Sequence, residues 1–124
     1  MEVVPFTGRW LQAAIKHAKG RTSMDGILKD CRSGAKQLFV IHDADTPSGV
    51  MVTEIRPYPE MKTCFIVLLG GVNFQRWRFL EAELGTWARA LGCQKLEFQG
   101  RIGWLRKTHD WAVLGVYLEK DLVQ

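Results

Sequence analysis

The chain contains few of the residues that announce a specialised architecture. Cysteine occurs three times in 124 residues, at Cys31, Cys64 and Cys93, with no paired C-x-x-C spacing. That excludes a zinc ribbon and a disulfide-stapled mini-fold, and it leaves buried, reduced thiols as the reading of all three. Proline is scarce, at four residues, and none falls inside the two N-terminal helical patterns described below. The longest unbroken apolar run, Phe65–Leu69, is far too short to span a bilayer. Met1 is followed by Glu2 and a mixed segment rather than by a basic and then apolar leader, so a cytoplasmic location is expected. No block of five or six like charges occurs, which gives no support to a nucleic-acid-binding tail. The histidines (His17, His42 and His109) show no metal-ligand spacing, so no metal site is expected.

What is present is the composition of one soluble domain spanning 1–124. Hydrophobic residues make up 47% and charged residues 24%, enough apolar mass for a real core. The net charge of +4 favours anionic partners without naming one. Five tryptophans are many for the length. In "FQRWRF" and "RIGWLRK" they interleave with arginines, a pattern that suits base stacking but is met more often in core aromatics flanked by solvated charge.

Periodicity orders the chain. Thr7 is placed to cap a first helix whose stripe is Trp10, Leu11, Ala14, Ile15 and Ala18, with Gly20 ending it. A short helix follows from Met24 to Cys31. The period then changes to two: "QLFVIH" from Gln37, a dense turn signal from Asp43 to Gly49, and "VMVTEIRPY" from Val50 read as a hairpin. "MKTCFIVLLGG" reads as a third strand, apolar enough to be covered on both faces. Trp77, Leu80, Leu84, Trp87 and Leu91 then mark the strongest helix, closed by Gly92. "CQKLEFQGR" reads as a strand, "IGWLRKTHD" as a short helix or turn, and "WAVLGVYLEKDL" as a last strand. Glu2–Pro5 is a candidate N-terminal strand. The expected fold is therefore α/β (α+β): a mixed, mostly antiparallel sheet with helices on both faces. Its strand–helix–strand unit from Cys64 to Phe98 should be a right-handed parallel crossover. A crevice is expected where antiparallel pairing gives way to parallel.

Within that unit, "CFIVLLGGVNFQRW" runs strand, two glycines, helix. This is an arrangement in which backbone N–H groups and a helix N-terminus can hold a phosphate. A glycine pair that only turns the chain fits the same residues.

The element order resembles the GNAT-type N-acetyltransferase superfamily. The likeness is carried by "TCFIVLLGG", by "RWRFLEAELGTWARALGCQKLEF" and by "GRIGWLRKTHDW". The compact version, with "LGGVNF" and "GRIGW", looks most like small acetyltransferase-like proteins of bacteriophages and prophages. The resemblance implies an acyl-CoA N-acyltransferase fold in which a bulged strand meets acetyl-CoA and the following turn and helix take its pyrophosphate. Carried onto this chain, the cofactor-binding residues would be Leu68, Leu69, Gly70, Gly71, Val72, Asn73, Phe74, Gln75 and Arg76. The family's spaced glycine pair is absent here. Where many members carry a tyrosine acid, counting back from Trp111 finds Arg106, which cannot donate a proton near neutral pH. Tyr117, with Tyr58 as a second choice, would need a different geometry to serve as the acid. Glu54 is the nearest candidate base, although a solvent-facing residue on an alternating strand is the commoner reading of such a glutamate.

Two function classes follow. One is an acyl-CoA-dependent N-acyltransferase that moves an acetyl group to an amine on a small molecule or protein. The other is a catalytically inactive GNAT-like phage protein, virion-associated or binding a phage or host macromolecule.

Overall fold

Apolar residues recur every second position in the middle of the chain and every third or fourth on either side, and the elements follow that change of period. The computed structural model describes residues 4–16, 20–44, 46–71, 77–99 and 110–122. Two helices, α1 (Val4–Lys16) and α2 (Met24–Ser33), precede three strands, β1 (Gln37–Asp43), β2 (Thr46–Pro57) and β3 (Lys62–Gly71). Helix α3 (Trp77–Ala90) and strand β4 (Lys95–Phe98) follow.

The strands form one sheet in the order β1-β2-β3-β4. The first three pair antiparallel, and β4 joins β3 in parallel. Because side chains alternate across a strand, the sheet has two distinct faces. One carries Ile41, Met51, Cys64 and Ile66 against Trp77, Leu84 and Ala88 of α3. The other carries Val50, Val52 and Leu68 against Leu11 and Ala14 of α1 and Ile27 of α2. This is the mixed, mostly antiparallel sheet with helices on both faces that the sequence implies.

Helix α2 shows why its ends fall where they do. Ser23 is extended and its hydroxyl accepts from the Gly26 N–H at 3.1 Å, while Gly34 at φ 86° turns the chain out. Helix α3 places Trp77, Leu84 and Ala88 in the core, with Leu80 and Trp87 packed around them and Phe39 edge-on to Trp87 at 5.0 Å. Leu91, expected in that stripe, is exposed just beyond the last turn.

Four expectations need correction. Val4 and Pro5 belong to α1 rather than to an N-terminal strand, and Thr7 lies inside the helix rather than capping it. Proline is tolerated in a first helical turn, whose N–H groups have no intrahelical acceptor. Strand β2 begins at Thr46, so Thr46, Pro47 and Gly49 pair with β1, and Ser48 is the extra residue at a register shift beside Ile41 and His42. The "WAVLGVYLEKDL" segment has strand composition but no strand: 111–122 pairs with no element of the sheet. The predicted short helix or turn at 102–110 lies outside the described residues, apart from Asp110, which lies in a turn.

Candidate functional site

The central strand β3 has an irregularity at the point where its neighbour leaves it. Val52 pairs with Leu68 and Thr53 pairs with Ile66, so Val67 is an extra residue with no partner on β2. That is a β-bulge. It puts two consecutive side chains, Val67 and Leu68, on the α1–α2 face, while Leu69 returns to the α3 face. On the other side of β3 the parallel ladder with β4 runs from Thr63↔Lys95 to Ile66↔Phe98 and stops. Beyond it, Val67–Gly71 has no partner strand on that side among the described residues. The bulge and the end of the ladder coincide. Among the described residues this leaves a gap in the ladder: the β4-side edge of Val67–Gly71 carries backbone N–H and C=O groups that no described strand satisfies.

Leu68 and Leu69 lie on this free edge, but their side chains are in the two cores. Only their backbones face the gap.

Gly70 and Gly71 have packing duties of their own. A Cβ on Gly70 would stand 2.5 Å from the Trp10 carbonyl oxygen, so the backbone of α1 seats directly on this residue. Gly71 has φ 138°, and its Cβ would stand 2.5 Å from both the Gly49 Cα and the Ser48 carbonyl oxygen. Both glycines are thus required by the fold without any bound phosphate. Val72, Asn73, Phe74, Gln75 and Arg76 lie outside the described residues.

Glu54 pairs with Phe65 on the α1–α2 side of the sheet. Its carboxylate accepts from Arg56 Nε at 2.6 Å and lies 3.5 Å from Lys36 Nζ. Lys36 also donates to Asp30 at 2.7 Å, and this hydrogen bond holds the ammonium above its ordinary range. The Arg56 guanidinium lies over the Phe65 ring at 3.7 Å. Glu54 is therefore the hub of a cation-rich cluster, and its lone pairs are already engaged.

A second carboxylate, which the sequence reading did not single out, lies nearer the gap. Glu97 is half-buried on β4, one residue before the last ladder pair at Phe98. It accepts from the buried Thr63 hydroxyl at 2.6 Å and forms no ion pair among the described residues. The alternation of "KLEF" assigns its face, but only the place where the ladder stops puts it beside the gap.

Tyr117 stands apart from this cluster. Its hydroxyl accepts from Arg21 Nε at 3.1 Å, and the Arg21 guanidinium lies 5.2 Å from its ring centre. No hydrogen bond or ion pair joins it to Glu54. Trp111 packs against the α3-side core and donates to Glu81 at 2.6 Å. Arg106 lies outside the described residues, and Tyr58 is exposed after the end of β2. Trp77 is buried, so the "FQRWRF" aromatic at that position cannot stack on a base. Among the described residues no three His, Cys, Asp or Glu side chains converge as metal ligands. No helix among them is long and apolar enough to cross a membrane.

A mixed sheet with a bulged central strand, a parallel neighbour that pairs with it only below the bulge, and helices on both faces is the architecture of the GNAT-type fold. Solved structures agree: the fold of this chain is that of GNAT-type acetyltransferases. An acetyltransferase from Trypanosoma brucei superposes with a TM-score of 0.61 at 14% identity, covering 89% of each chain. A GNAT family acetyltransferase from Staphylococcus aureus gives 0.59 at 11% identity, over 82% of this chain and 78% of the other. An aminoglycoside acetyltransferase from an uncultured soil metagenomic sample, in complex with sisomicin, gives 0.62 at 16% identity, over 93% and 85%. No protein-family model matches the sequence, and no curated protein matches it.

Proposed function

We propose that the chain is an acyl-CoA-dependent N-acyltransferase that transfers an acetyl group to an amine. The observation that carries this reading is the coincidence of the Val67 bulge with the end of the β3–β4 ladder. An extended arm bearing amide groups can add to the free edge of Val67–Gly71 as a strand would, satisfying backbone groups that β4 no longer reaches. The residues present fit such an arm, since Val67–Gly71 offers backbone N–H and C=O groups on the side where no described strand pairs with them. Bound acyl-CoA supplies the acetyl group as a thioester, and transfer exchanges a C–S bond for an amide C–N bond with release of the thiol.

The chain's own contribution is mainly positioning. Holding both reactants at the gap removes most of the entropic cost of meeting. Of the two carboxylates on this side of the sheet, Glu97 is the one free of cations and closer to the last ladder pair. It is the group we assign to hold the incoming ammonium and take its proton; Glu54 holds Arg56 and Lys36 in place. The acceptor class is an amine-bearing small molecule or protein. An amino sugar is a reasonable first probe, given the aminoglycoside-modifying enzyme of the same fold.

Thermal denaturation with acetyl-CoA tests the reading. A ligand at 100 times its Kd stabilises the folded state by about 2.7 kcal/mol, a rise of several degrees in Tm. No shift at millimolar acetyl-CoA sinks the enzyme and leaves a GNAT-like binding protein. With turnover established on an amine panel, Glu97→Gln should lower kcat about a hundredfold and leave the acetyl-CoA-induced shift intact. An unchanged kcat removes Glu97 from the role of base.

A further inference from the structure

The segment after Trp111 has the composition of a strand and nothing to pair with. Between Ala112 and Leu118 it carries no charge and no proline. Its apolar side chains lie open to solvent: Leu114, Val116 and Leu118 are 87%, 84% and 85% exposed, against 70% and 64% for Val113 and Tyr117. The exposure alternates with period two, as on an extended strand with one side turned to its own molecule. The odd-numbered side makes the intramolecular contacts. Trp111 donates to Glu81, the Tyr117 hydroxyl accepts from Arg21, and Glu119 pairs with Arg21. The segment is thus held at both ends, and none of its backbone groups bonds the backbone of another described residue. An exposed apolar segment whose backbone groups are unpaired is a template for pairing with another chain.

We propose that two copies of this chain pair residues 110–120 antiparallel about a two-fold axis through Gly115. The sequence is self-complementary about that residue. Antiparallel apposition matches Leu114 with Val116, Val113 with Tyr117, and Ala112 with Leu118, so apolar meets apolar from Ala112 to Leu118. The next pair outward sets Trp111 opposite Glu119, each already bonded within its own chain, and the pair after it sets Asp110 opposite Lys120 at each end of the ladder, an opposite-charge cross-strand pair. Both residues are exposed and neither forms an ion pair among the described residues. Nothing stands within 4 Å of where a Gly115 Cβ would be, so the axis is open to a second backbone.

Association would rest on backbone hydrogen bonds between the two edges and on these cross-strand side-chain pairs. Each copy offers one identical patch, so the assembly closes as a dimer instead of growing.

Sedimentation equilibrium of the whole chain should give twice the 14.1 kDa chain mass at micromolar concentration. Val116→Lys, on the exposed side of a segment outside both cores, should fold normally and weaken association about a hundredfold or more. Asp110→Lys should weaken it too, and Asp110→Lys combined with Lys120→Asp should restore it. In a Cys31→Ser background, Gly115→Cys should cross-link the dimer on mild oxidation, whereas Ala112→Cys, six positions from its own symmetry mate's equivalent, should not. A monomeric wild-type chain at 100 times that concentration overturns the proposal. So does a dimer that survives Val116→Lys, or one in which Ala112→Cys cross-links as readily as Gly115→Cys.

Discussion

Gly70 and Gly71 are neighbours in sequence that serve different parts of the molecule. Gly70 makes room for the Trp10 carbonyl of α1, and Gly71 makes room for Ser48 and Gly49 on β2. Gly70→Ala should therefore cost about 1–3 kcal/mol in urea denaturation, as overpacking against fixed backbone does. Gly71→Ala should cost more, because φ 138° adds strain to the collision. A charged residue at Gly71 would report on folding before it reported on any phosphate. The cysteines make a second residue-scale case. Burial pushes the Cys64 thiol from 9.0 up to about 11, and raises Cys31 and Cys93 as well. Between pH 9 and 11 the folded state keeps a proton that the unfolded state has released, so stability falls as pH rises. The slope from Cys64 is at most about 1.4 kcal/mol per pH unit. Chemical denaturation at pH 8.5 and 10.5 should show this loss, and Cys64→Ala should flatten it. Native alkylation followed by mass spectrometry should label Cys31, which is only half-buried, before Cys64 or Cys93.

At the scale of elements, the Val67 bulge separates stability from the proposed activity. Removing Val67 leaves Val52↔Leu68 and Thr53↔Ile66 in register and every other core side chain on its own face. The deletion should melt within a few degrees of wild type, since one half-buried valine contributes about 1–2 kcal/mol. It should also lose the acetyl-CoA-dependent rise in Tm. A deletion variant that still responds to acetyl-CoA would place the ligand elsewhere. The resemblance implies a bulged strand, but the position of the bulge could not be read from the residues, because "FIVLL" is apolar at every position and an inserted residue leaves no break in its pattern. By contrast α3 was legible from its tryptophan–leucine stripe, and the antiparallel run β1–β3 from alternation and turn residues. The duties of the glycine pair were hidden for another reason: Trp10 and Ser48 are far away in sequence. Glu97 was overlooked because its importance depends on where a ladder stops. The C-terminal strand was read correctly as composition and wrongly as pairing, since no strand of its own sheet receives it.

At the scale of the whole molecule, paired C-terminal segments would tie folding to protein concentration. The Tm of a folded dimer rises with concentration by mass action, while that of Val116→Lys should not. A dilution series in differential scanning fluorimetry reads this directly. The sheet itself is unevenly sewn. Strands β2 and β3 share nine residue pairs, whereas β3 and β4 share four, all below the bulge. That junction is a seam at which β4 can part from β3 while the antiparallel half stays intact, at a free energy below that of global unfolding. Amide protons of Lys95–Phe98 should then exchange faster than those of Val50–Val52, through an opening that leaves the hairpin core closed. A molecule lying in the gap would bridge the two sides of the seam. It would slow exchange in β4 as well as along Val67–Gly71, and so make the sheet mechanically one piece only while it is occupied.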